Sequence, residues 1–76
     1  MTAEEWIEEF AREIGLAPPD ERQVESILGL AAEAAHASER TAAPVACWMA
    51  GISDRALPDL EEAAKRVGSS SREEPG

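Results

Sequence analysis

Apolar residues recur at helical spacing in four blocks of this chain, separated by short breaks that are polar or contain proline. The first block places Trp6, Phe10 and Ile14 at i, i+4 and i+8, with Ile7 and Ala11 widening the stripe. Glu8, Glu9, Arg12 and Glu13 fall mainly on the other side. Thr2 followed by Glu5 has the spacing of a capping box, and Gly15 supplies a left-handed end against which Leu16 can fold back. Pro18-Pro19 prevents continuation, and Asp20 with Gln23 opens a second helix that runs to about residue 38. Its stripe changes from Val24, Ile27 and Leu28 to Ala31, Ala34 and Ala35, and such small residues predict the contact strip for the third helix. Gly29, at a cost of about 1 kcal/mol against Ala in a helix interior, suits a close approach there too.

Arg40 to Pro44 reads as a turn and restart, with Thr41 as N-cap and Pro44 tolerated in the first turn. Val45, Trp48, Met49 and Ile52 then follow at i, i+3, i+4 and i+7, and no charge occurs from Thr41 to Ser53. A run so uniformly apolar is at ease only when buried on most of its sides. Helix three, about residues 44–52, is therefore expected to be central, with Gly51 marking close packing or an early end. After the polar break Ser53-Asp54-Arg55, Pro58 opens a fourth helix with the stripe Leu57, Leu60, Ala64 and Val67. Lys65 and Arg66 complement the dipole of its last turn, and Gly68 is expected to stop it. Residues 68–76 hold no apolar residue and read as a disordered tail. The pattern thus predicts an all-α, compact four-helix domain over residues 1–67, with no strand and no internal repeat.

Composition narrows the function more than the fold. Seventy-six residues make one domain, and a chain this short buries only about 60% of its unfolded surface. Its stability margin is thin, so dimerisation or docking on a partner is an ordinary way to gain the rest. Sixteen acidic against seven basic residues give a formal charge of −9. That field opposes nucleic-acid phosphates and anionic membranes, and no apolar run approaches the roughly 20 residues a bilayer demands. The expected partner is a protein or a second copy, with no nucleic acid and no membrane. Glu4, Glu5, Glu8, Glu9 and Glu13 crowd the first helix, either as a docking face for a basic partner or, more simply, as a solvated face. The start Met1-Thr2-Ala3-Glu4-Glu5 lacks a basic and an apolar signal region, which leads to the expectation of a free-standing cytoplasmic protein.

Little here suggests chemistry. One cysteine, Cys47, rules out an internal disulfide and multi-cysteine metal frameworks, and its apolar setting suits an unreactive thiol. A nucleophilic triad needs an activated Ser or Cys beside His36, a metal needs more ligands than one His, and no Gly-rich phosphate loop occurs. The expectation is a non-enzymatic chain without cofactor or metal. His36, Ser38, Glu39 and Arg40 form the one cluster of mixed acid, base and hydroxyl character. As an interaction site, Arg40 would grip an anionic group while Glu39 orients His36. In the plainer reading, Glu39 or Ser38 satisfies free N–H groups at the start of helix three and Arg40 pairs with a nearby carboxylate.

Length, acidity and four helices also resemble acyl carrier proteins, whose modified serine opens the second helix after a long loop. The nearest counterpart here, Glu25-Ser26-Ile27-Leu28, lies within the first turns of helix two behind a short loop. Modification on Ser26, or a small ligand at the helix two to helix three junction, are the alternative functions.

A closer likeness lies in Glu5-Trp6-Ile7 in an acidic helix ending near Gly15-Leu16, then an aliphatic-to-alanine helix leading to His36-x-x-Glu39-Arg40-x-x-Ala43-Pro44, then an apolar helix with a late Gly51. Over roughly residues 3 to 67 the chain resembles a family of small actinobacterial helical domains of unknown function. The resemblance implies a domain found alone or fused to molybdenum-cofactor guanylyltransferase-type proteins. It also implies an accessory or docking role near molybdopterin guanine dinucleotide synthesis, with no catalytic residues to carry over. The final helix is shorter here than the family pattern leads one to expect.

Overall fold

The computed structural model describes the backbone of residues 1–73 and the side-chain surroundings of residues 1–68. Four helices follow in order: α1 (Ala3–Ile14), α2 (Glu21–Ala37), α3 (Ala42–Ile52) and α4 (Leu57–Glu73). No strand occurs among the described residues. The fold is all-α, as the periodicity predicts.

The caps form as the local sequence dictates. At α1 the Thr2 N–H donates to Glu5 Oε1 at 2.7 Å, and the Glu5 N–H donates to Thr2 Oγ1 at 3.1 Å. The Thr2 backbone N–H first, and the Thr2 side chain after it, hold the Glu5 carboxyl below its ordinary range. Gly15 adopts φ 74°, and the Gly15 and Leu16 N–H groups donate to the Arg12 and Ala11 carbonyls at 3.2 and 2.8 Å. That pair of bonds is the Schellman closure. Asp20 and Gln23 make the same reciprocal box at α2, both bonds at 2.8 Å.

Tertiary packing is organised around α2. It packs along both α3 and α4, and no other pair of helices forms an extended contact. Leu30, in the middle of α2, and Ala11 are the buried hydrophobic residues of the described chain, each 6% exposed. At Gly29 a Cβ would meet only the tip of the Glu61 side chain of α4, 2.5 Å away, a flexible carboxylate and not the backbone of another helix. The four helices make one compact globule, elongated along one axis, with extents of 47 × 26 × 18 Å and a radius of gyration of 14.0 Å.

Three expectations are corrected. Helix three is not central: Val45, Trp48, Met49 and Ile52 are 58%, 67%, 59% and 64% exposed, and no residue of α3 is buried. The tight turn at residues 38–41 lays α3 against α2 on one side, and α4 packs on α2 instead of wrapping α3. A helix that is apolar all round therefore shows most of its surface to solvent. Gly51 marks no close packing, since a Cβ there meets open space, although α3 does end one residue later. Gly68 does not stop the last helix, which runs through it to Glu73; the rest of the expected tail, residues 74–76, lies outside the described residues.

Opposite outcomes are expected at two glycines. Gly51→Ala, with free space and helical geometry, should raise stability by about 0.5–1 kcal/mol. Gly15→Ala, forced into the left-handed region, should lower it by about 1 kcal/mol or more. Thermal and urea unfolding of the two variants measures both.

Candidate functional site

Because α3 and α4 both pack on α2 and not along each other, an open slot remains between them. Its floor is the second half of α2, at Leu30, Ala34 and Ala37; one wall is Val45, Ala46 and Met49 of α3, and the other is Leu60, Ala64 and Val67 of α4. The alanines that permit close helix crossings also leave the slot wide, with a volume of about 700 Å³. Its polar lining residues are Glu33, Ser38, Ser53 and Arg55. Two of these hydroxyls are tied to their own helices: Ser38 Oγ donates to the Ala34 carbonyl at 2.8 Å and Ser53 Oγ to the Ala50 carbonyl at 2.9 Å.

The predicted junction residues lie beside this slot and not inside it. His36 lies in the last turn of α2, and Glu39 and Arg40 follow in the turn; all three are exposed. Their side chains make no hydrogen bond or ion pair among the described residues. The plainer expectation for this corner is corrected too. Thr41 has helical φ/ψ and makes no side-chain cap, and the first N–H groups of α3 are satisfied by backbone instead. Ala42 N–H donates to the Glu39 carbonyl at 2.9 Å and Ala43 N–H to the Arg40 carbonyl at 3.1 Å. Apart from Ser38, whose hydroxyl caps the end of α2, the turn closes through backbone, so the His36, Glu39 and Arg40 side chains are free to meet something else.

A second apolar surface lies on α1. Trp6 and Phe10 stack with ring centroids 4.9 Å apart and planes 22° apart. With Ile14 they form a stripe about half exposed (Trp6 54%, Phe10 48%, Ile14 50%). The other edge of α1 turns toward the start of α2, where Ala3, Ile7, Pro18, Pro19 and Val24 line a hollow of about 400 Å³. Among the described residues no set of three or more His, Cys, Asp or Glu side chains is placed to hold a metal ion. Cys47 is a half-buried free thiol. Ser26 is half-buried in the second turn of α2, and Lys65 makes an exposed ion pair with Glu62 at 3.2 Å.

Such an arrangement defines a class: a small all-α domain that presents a wide apolar slot, an unpartnered amphipathic helix and a polar corner. The chain belongs to a family described as a domain of unknown function (DUF6457), whose model matches residues 1–75. No curated protein and no solved structure matches it.

The exposure of α3 has a direct consequence for stability. Trp48 lies off the slot and 67% exposed, so Trp48→Ala should cost less than about 1 kcal/mol, where a core Trp costs about 3–5 kcal/mol. Urea unfolding of the two chains separates these values.

Proposed function

We propose that this chain is a non-enzymatic protein-interaction domain, an accessory to molybdenum-cofactor (molybdopterin guanine dinucleotide) biosynthesis in the cytoplasm of actinobacteria. The observation that carries the interaction reading is the amount of large apolar surface in water. Trp6, Phe10, Ile14, Val45, Trp48, Met49, Ile52 and Val67 are each about half exposed or more. Single exposed hydrophobics are ordinary, but two apolar surfaces on one short chain, the α1 stripe and the α3–α4 side with its slot, mark surfaces that are covered when the protein works. The molybdenum link rests on the His36-x-x-Glu39-Arg40-x-x-Ala43-Pro44 element and its resemblance to domains fused to guanylyltransferase-type proteins. This element forms an exposed corner suited to a polar contact, with Arg40 able to grip a partner carboxylate or phosphate.

One observation favours a second reading. A volume of about 700 Å³ with apolar walls and a few polar residues falls in the range of small-ligand sites. In that case molybdopterin or a guanine nucleotide would raise the melting temperature by binding the native state alone.

Co-expression with a molybdenum-cofactor guanylyltransferase tests the first reading. The wild-type chain should co-purify with it, and Arg40→Ala should reduce recovery at least about tenfold, as loss of a charge-assisted bond predicts. The helical circular dichroism should stay unchanged in that variant. Absence of any association by the wild type would overturn the molybdenum reading.

A further inference from the structure

The slot has a floor of α2 and walls of α3 and α4, and its volume of about 700 Å³ suits the large side chains of one more helix laid along its open side. We propose that the occupant is α1 of a second copy of this chain, exchanged reciprocally so that each copy gives its α1 and receives the other's. The proposal rests on the reading of the slot as a docking surface and names what docks there.

Shape supports the match. α1 is the helix without an extended packing partner, and its twelve residues span about 18 Å, close to the roughly 16 Å of the eleven-residue α3 wall. Its stripe is large, with stacked Trp6 and Phe10, whereas the slot is lined largely by alanine, so bulk on one side meets space on the other. The polar face of α1, with Glu8 and Glu9, then stays outward in water.

The chain's own α1 is not placed to do this. It ends in the closed turn at Gly15-Leu16, is followed by Pro18-Pro19, and lies by the start of α2 at Val24. The slot begins at Leu30, nine residues and roughly 14 Å further along α2 from its first residue. In this arrangement α1 makes no extended contact with α3 or α4.

Area decides that the exchange is reciprocal. Aromatic side chains bury about 150–250 Å² each, so half-exposed Trp6, Phe10 and Ile14 with the matching slot surface amount to roughly 600 Å². A single such contact falls in the range of non-specific packing, whereas two related by a twofold axis reach about 1,200 Å², the lower bound of stable interfaces. Both copies carry a charge of −9, so screening by salt strengthens the pairing.

The test uses the full chain in sedimentation equilibrium at low and high salt. Wild type should form a dimer that tightens with salt. Phe10→Glu places a charge on the α1 stripe and Ala46→Glu places one in the slot wall; each should weaken dimerisation at least about a hundredfold. Mixing the two variants leaves one of the two contacts intact, so the mixed pair should be tighter than either variant alone and remain well short of the wild-type dimer. A dimer that survives Phe10→Glu, or a mixture that associates no more tightly than either folded variant alone, would overturn the exchange. Should a glutamate unfold the chain by circular dichroism, a Trp48→Phe chain reports through Trp6 alone. Its emission should move to shorter wavelength as concentration rises, and a constant emission overturns the proposal. A monomeric wild type at high salt overturns it as well, and one that still co-purifies with a guanylyltransferase leaves the interaction reading standing.

Discussion

Packing of two helices onto the middle and second half of α2 is the interaction on which the rest of this molecule depends. Leu30 is buried there, worth about 1.5–3 kcal/mol by its side chain alone, and the alanines beyond it let helix backbones draw near. α3 reaches α2 through a four-residue turn whose backbone carbonyls satisfy the incoming N–H groups. α4 presses close enough that Glu61 lies over Gly29. With one buried leucine at the centre, the chain has little margin, and conformational entropy opposes every further ordering of side chains.

The same small residues that bring α3 and α4 to α2 leave the space between them unfilled. A floor of alanine cannot occupy a gap that a row of leucines would close, so packing and cavity have one cause. α1 shows the complementary condition. It is well capped at both ends, which matters for a helix of twelve residues that would be marginal by itself, yet its aromatic stripe has nothing to cover it. A slot without a helix and a helix without a slot occur in one short acidic chain, and the polar corner at His36, Glu39 and Arg40 lies beside the slot without lining it. Self-association through the slot therefore leaves that corner available to an external partner.

The helices and most of their ends were legible because they follow local rules. Thr2 with Glu5, Asp20 with Gln23, and Gly15 with Leu16 make the bonds that their spacing predicts. The identity of the central helix was not, since a helix with no charge from Ala42 to Ile52 has no polar face to show which side meets solvent. Val45, Met49, Leu60 and Val67 were read as core because periodicity reports which residues prefer burial, not whether one short chain has surface enough to bury them all. Thr41 shows a related limit: a good capping residue leaves its role unused when a turn already supplies backbone carbonyls. The junction residues were legible as a polar cluster and as exposed, whereas the slot beside them depends on the angle between α3 and α4, which no local pattern encodes.

Amide hydrogen exchange on the dilute, isolated chain tests most directly whether α2 is the axle of the fold. The central amides of α2, around Leu30, should be the slowest and should exchange only with global unfolding. Those of α1 should open first, and those of α3 should exchange faster than α2 because no residue of α3 is buried. Slowest exchange along α3, with α2 opening before it, would contradict the account.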